Sequence, residues 1–381
     1  MLKNKIYKYF TVEILKSFIV TLFALSAVAW TVRAVSFLDL VVENGHSVST
    51  YLLFSLFNMT NIVTKFIPLS FLLALVLTIL KFEKQNELMI LWTTGLSKMK
   101  LVNLFFYVSL IIFAIQITFA VFITPQSLHK SRNLIAKSDF NSMSSVIRAN
   151  DFSDSFKGIT FYVEKKNVNN EMENIFIRDE NNSFKSIISN EQDSSNTTII
   201  AEKGVLDSRR LILINGVIQT QNLDGEINNI NFSKTELAMN LFKTRTITKP
   251  KLQETFTSYL IKCLIDSSNS SNFDMLYNCP KHDMKQDITS TLLRRVGMPI
   301  YIPLVSLICS FLLISFKSKK YKNFNKYIFF SIAFFVLVLA EILVRFSGFS
   351  NMHSLTYFLF PIILMPILYF MLNRRFSFEQ K

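Results

Sequence analysis

Five cations, Arg33, Lys65, Arg294, Arg295 and Arg345, stand within or at the ends of long apolar stretches of this 381-residue chain. A cation at such a place is costly unless it meets a partner or a cavity. Guanidinium and ammonium groups gathered at one level suit phosphate oxygens, the guanidiniums through paired N–H donors. The simpler alternative is that each charged head snorkels to the nearest water, with Arg345 pairing to Glu341 one helical turn earlier. Recurrence of the pattern over four apolar stretches favours a shared cationic rim that would take a phosphate-bearing lipid.

A second candidate is the segment FEKQNELMILWTTGLSKMK, Phe82 to Lys100. It is too short to cross a bilayer and too apolar for an ordinary loop. Leu88, Leu91, Trp92 and Leu96 recur at helical spacing and share one face. Met89 and Ile90 fall on another face, which one covering surface leaves bare. A plain amphipathic surface helix accounts for the first face only; the second is expected to meet a protein partner. Glu87 opens the helix, where a carboxylate complements the unpaired N–H groups.

Signatures of catalysis are absent. The chain has no phosphate-binding GxxxxGK[ST] loop, no HExxH and no GxSxG, and His46, His129, His282 and His353 are scattered. These absences argue against an enzyme, and no cofactor or metal is expected. Cys309 lies in an apolar stretch as a small hydrophobe. Cys263 and Cys279 precede that stretch; they form a bridge in an oxidising compartment or stay as thiols, and spacing does not decide.

The elements that position these groups are membrane spans. Half the residues are hydrophobic and 38 are phenylalanine, which a soluble protein of this length would not keep in solution. Apolar runs long enough to cross the hydrocarbon cover about 14–37, 55–80, 101–124, 296–316, 327–347 and 354–373. The first is long, has no small-residue cleavage site and leads into further spans, so it reads as a span and not a signal peptide.

Between the third and fourth runs the chain turns polar and reads as β. Segments beginning at Gly158, Met172, Thr197, Arg209 and Ile227 carry β-branched and aromatic residues bounded by turn signals such as Asn215-Gly216 and Asp224-Gly225. Short spacing without helical pattern predicts an antiparallel sandwich or jelly roll. SNEQDSSN, from Ser189, reads as a solvated loop.

Lysine and arginine set the orientation. They crowd the N-terminus, the loops after spans two and four, and the C-terminus, and are missing from VVENGHSVST and SGFSNMH. Both termini and the Phe82–Lys100 segment are therefore expected in the cytoplasm, with the β region outside. The net charge of +14 largely follows from this asymmetry, and nucleic-acid binding is not expected.

This arrangement resembles the LptF/LptG permeases of the lipopolysaccharide-export ABC transporter. The resemblance rests on three plus three spans around an outward β insert, on NELMILWTTGLS, on the FYVEKKN, IFIRD, IIAEKG and LILINGVIQ segments, and on RRVGMP opening span four. It implies an α-helical integral membrane protein of six transmembrane helices with an inserted periplasmic jellyroll. The implied divisions are 1–125, 126–288 and 289–381, with a coupling helix at about 83–95. By resemblance that helix docks in a groove of the ATPase LptB through Glu87, Leu88, Met89, Leu91, Trp92 and Gly95, and Arg33 matches a basic position that contacts lipopolysaccharide. The implied partners are an LptG-like paralogue, an LptB dimer, LptC, an LptA-type periplasmic bridge, lipopolysaccharide and the lipids of the bacterial inner membrane.

Two motifs depart from the family pattern. Thr291 and Leu293 stand where members often carry Glu and His, and WTTG replaces RAAG. VSFLDLVVENG and GLSKMKL look closer to LptF than to LptG. A permease-like subunit of another envelope-lipid or lipoprotein-releasing ABC system is an alternative, although lipoprotein-releasing subunits carry four spans. A non-transporting, membrane-anchored assembly factor is another, although it needs neither a cationic rim nor a coupling helix.

Overall fold

The computed structural model describes residues 2–38, 41, 47–138, 147, 149–156, 158–167, 171–180, 194–207, 210–222, 227–238, 251–266, 283–314 and 319–379. The chain divides into two units. The first comprises Met1–Val32, Phe57–His129 and Pro250–Lys381, and the second Arg33–Leu56 and Lys130–Lys249.

The helices in chain order are α1 (Leu2–Ser36), α2 (Val48–Lys84), α3 (Glu87–Thr93), α4 (Lys98–Thr118) and α5 (Thr124–Ser138), followed after the β region by α6 (Thr257–Asp266), α7 (Asp283–Gly297), α8 (Tyr301–Ser310), α9 (Lys319–Phe346) and α10 (Asn351–Glu379). All belong to the first unit except the end of α1, the start of α2 and the end of α5, which fall in the second. Among the described residues, six stretches are long and apolar enough to cross a membrane. All six begin ahead of the apolar runs and three, the second, third and sixth, also end beyond them: α2 starts at Val48, ahead of the hydropathy boundary near 55. Hydropathy marks the part that meets hydrocarbon, whereas the hydrogen-bonded helix continues into the interface.

Helix α8 is the centre of the first unit. Each of its residues is buried, and it packs against α4, α9 and α10. Its nearly all-apolar sequence suits this covered position. Around it, Phe10 and Phe82 pack with ring centroids 4.3 Å apart, joining α1 to the end of α2. Exposed apolar residues such as Phe23, Tyr107, Phe335 and Phe370 lie on the outward faces of the spans.

The second unit holds one antiparallel sheet in chain order: β1 (Asp151–Phe156), β2 (Ile159–Lys166), β3 (Glu171–Asp179), β4 (Ser194–Asp207), β5 (Arg210–Asn222) and β6 (Ile227–Ala238). Strand β1, DFSDSF, has too few β-branched residues to be read from the sequence; it forms by pairing with β2 along one side. Asn215-Gly216, expected as a turn, instead lies within β5. Asp224-Gly225, the segment from Ser189 to Asp193 and Cys279 lie outside the described residues.

The reason for Asn215-Gly216 is a corner in the sheet. Met172, Gly204 and Leu213 pair across β3, β4 and β5, as do Ile175, Ala201 and Gly216. Met172, Gly204, Leu213, Ile175 and Ala201 are all buried, although the two rows are three residues apart instead of two. Strand side chains alternate with period two, so the inward face shifts between the rows. Asn174 and Asn215 take left-handed φ of 52° and 51° in the interval. A Cβ at Gly216 would lie 2.2 Å from the Ile200 carbonyl oxygen, so the close approach there requires glycine. Lys166 reaches the same row, paired with Met172, and donates to the Ile147 carbonyl. Burial holds its ammonium below the ordinary lysine range.

Candidate functional site

Two places in the first unit gather the residues singled out above. The first is α3. It follows the end of α2 after a reversal at Asn86, whose φ of 59° is left-handed. It stops by hydrogen bonding: the Gly95 N–H donates to the Trp92 carbonyl at 3.2 Å and the Leu96 N–H to the Leu91 carbonyl at 3.1 Å. This is the Schellman arrangement, and Leu91 and Leu96 both pack in the main apolar core. Gly95 has φ of 81°, and nothing lies within 4 Å of an added Cβ. Its requirement is therefore conformational and not steric.

Burial divides α3 as its spacing predicts. Leu88 and Leu91 are buried, and Trp92 and Leu96 pack half-buried on the main core. Met89 and Ile90 are 62% and 58% exposed, neighbours at one end of the bundle. The Lys98 ammonium lies 5.6 Å from the ring centroids of both Trp92 and Phe376, tying α3 to α4 and α10. Ion pairs join the surrounding helices: Glu13 with Lys81, and Glu83 with Lys326 at 2.6 Å.

Glu87 has an internal partner that the sequence does not disclose. The Tyr9 hydroxyl donates to its Oε1 at 3.2 Å. Tyr9 also packs against Phe82, with ring centroids 5.9 Å apart. The two residues are far apart in sequence, so periodicity within Phe82–Lys100 carries no trace of the contact.

The second place is a cavity of about 310 Å³ between α2, the α4–α5 junction, α7 and α9. Lys65, Arg294 and Arg295 line it together with Glu341 and Gln116. Arg345 is exposed and is not among the lining residues. Arg33, in the last turn of α1, falls in the other unit. Of the five cations expected to form a rim, three converge on this cavity.

Those three do different work. Arg294 Nη2 donates to Glu341 Oε1 at 2.7 Å, so Glu341 pairs across to α7 and not along α9 with Arg345. Arg295, only 7% exposed, has neutral acceptors. Its Nη1 donates to Thr257 Oγ1 at 2.7 Å, and its Nη2 donates to the carbonyls of Leu252, Gln253 and Thr255 at 3.0–3.2 Å. Lys65 is the most exposed of the three.

Proline explains where this clamp finds its last acceptor. Pro125 has no N–H to give the Val121 carbonyl four residues earlier, and the helix widens into a π turn over Phe119–Ile123. Thr257 Oγ1 donates to that carbonyl at 2.9 Å. The series from Arg295 through Thr257 to Val121 thus fixes the start of α6 against the α4–α5 junction.

Polar groups elsewhere in the lining are partly satisfied. Thr64 and Thr124 share a hydroxyl hydrogen bond of 2.8 Å. Gln116 is 3% exposed, and its Oε1 has no hydrogen-bond partner among the described residues. A buried amide oxygen beside this largely apolar cavity can take a hydrogen bond from a donor placed there. The cavity can therefore hold a polar group at the depth of the spans.

Cys263 is buried and disulfide-bonded, and Cys309 is a buried free thiol. Among the described residues there is no cluster of three or more His, Cys, Asp or Glu that could hold a metal ion. In comparison with known families the chain matches the lipopolysaccharide export system permease LptF/LptG over residues 8–375. No curated protein matches the chain.

Proposed function

The chain belongs to the LptF/LptG family of lipopolysaccharide export permeases, and from that premise we propose that it is the LptF-like half of an ABC transporter. It pairs with an LptG-like paralogue in the bacterial inner membrane and is driven by a separate LptB ATPase dimer. Its termini and α3 face the cytoplasm, where the lysines of the short loops concentrate, and its sheet faces the periplasm. Lipopolysaccharide leaves the outer leaflet of that membrane and passes by way of the sheet to LptC and an LptA-type bridge.

The observation that carries this reading is the division of α3. One face is anchored in the core by Leu88, Leu91 and Trp92, while Met89 and Ile90 stand out beside Glu87. A helix fixed on one side and apolar on the other transmits force from a partner to the bundle. In this reading the LptB groove receives Met89 and Ile90, while Glu87 positions Tyr9 and α1. Lys65 and Arg294 are the cations that meet lipid phosphate, and Arg295 holds the fold of the rim.

A photo-crosslinking side chain at Ile90, introduced in cells, tests the assignment. LptB should appear in the crosslinked product, whereas a crosslinker at exposed Tyr107, on the outward face of α4, should not capture it. Capture of LptB at Tyr107 and not at Ile90 would overturn the placement.

A further inference from the structure

Helix α6 shows an apolar surface that the transport reading does not use. Leu260 and Cys263 pack inward with Ile288 of α7. The opposite face presents Ile261, Lys262 and Ile265, at the spacing of a single helical stripe, and Phe256 stands just ahead of it. Ile265 is 63% exposed.

The hydrogen bonds at its start fix the level of Thr257, its first residue. Thr257 bonds to Val121 and Arg295, which lie inside two candidate membrane spans. About 35 Å of helix separates Val121 from Lys98 at the basic end of α4, slightly more than the roughly 30 Å of a hydrocarbon core. Val121 thus sits at the membrane boundary away from α3. The neighbouring Phe122 and Val296 are themselves exposed and apolar, so the stripe on α6 continues the lipid-facing surface of the spans.

We infer that α6 is an interfacial helix whose Phe256, Ile261 and Ile265 enter the headgroup–acyl boundary of the leaflet away from α3. Lys262 extends to the phosphates at that level, as a lysine on an amphipathic surface helix does. The Arg295 clamp holds the start of the helix at this depth, and the packing of Leu260 and Cys263 on Ile288 of α7 orients the rest with its stripe outward. The lipid surface, not a soluble protein, covers the stripe.

The test uses the full transporter in nanodiscs of phosphatidylethanolamine and phosphatidylglycerol. A genetically encoded, environment-sensitive fluorophore is placed singly at Ile261 or Ile265, and nitroxide-labelled lipids serve as quenchers. Tyr107, exposed in mid-span, and Ile200, exposed on the sheet, are the controls. Shallow nitroxides should quench positions 261 and 265 more than deep ones, with the order reversed at 107 and neither acting at 200. The inference is overturned if both α6 probes are insensitive to lipid nitroxide, whether iodide reaches them from water or a protein surface shields them. Stronger quenching by the deep nitroxide would equally overturn it.

Discussion

Helix α3 and the cavity beside Arg294 lie in the same unit, yet they present their functional groups in opposite ways. In α3 the groups that matter are apolar, and their roles follow from which face they occupy. In the cavity the groups are charged, and their roles follow from what each finds within reach. Leu88 and Met89 differ by one position and so by burial. Arg294 and Arg295 also differ by one position, yet one meets a carboxylate and the other three backbone carbonyls and a hydroxyl. Periodicity separates the first pair; only the fold separates the second.

The largest expected effect of breaking this contrast is at Arg295. Arg295→Ala strands several acceptors and frees the start of α6, and should cost about 3 kcal/mol or more. Arg295→Lys should recover little, because one ammonium cannot reproduce the guanidinium fork. Thermal unfolding of the purified permease measures both. A Lys variant as stable as the parent would remove the distinction between the two arginines.

Next in size is Gly95. A non-glycine residue in its left-handed conformation should lose about 1 kcal/mol, so Gly95→Ala should lower the thermal midpoint while leaving the apolar faces of α3 chemically unchanged. An unaltered midpoint would show that the end of α3 does not depend on the Schellman turn.

The Arg294–Glu341 pair is part-exposed, so solvent screening limits it to about 1 kcal/mol of coupling. A double-mutant cycle with Arg294→Gln and Glu341→Gln reads that coupling as stability. If Arg294 also contacts lipid phosphate, the single Arg294→Gln variant should lose lipopolysaccharide capture as well. Coupling without any change in capture would leave Arg294 a structural residue like its neighbour.

The smallest effect belongs to Tyr9. Its bond to Glu87 is exposed, and Tyr9→Phe should change stability by about 0.5 kcal/mol or less. ATP hydrolysis and lipid export, measured together, give the sharper reading: partial uncoupling is expected if Glu87 transmits α3 movement to α1. Unchanged coupling would return Glu87 to a local helix-stabilising role.

This contrast also marks how far the sequence could be read. Six spans, five of the strands and the two faces of α3 are legible because each depends on residue spacing and burial along one element. The convergence of Lys65, Arg294 and Arg295 is half-legible: their common depth is visible, but the Arg295 acceptors are carbonyls, which every residue carries. The Tyr9–Glu87 bond and the sheet corner at Asn174 and Asn215 arise from contacts between distant segments. Asn-Gly within β5 reads as a turn because left-handed φ serves a bent strand as well as a hairpin.

Retention of LptB by a Met89→Glu, Ile90→Glu double variant tests the central claim most directly, since both side chains are exposed and neither supports the core. The folded yield and thermal midpoint should match the parent, while LptB copurification falls about tenfold or more, equivalent to about 1.4 kcal/mol. Full retention of LptB with normal export by that folded variant would contradict the assignment of α3 as the docking and coupling element.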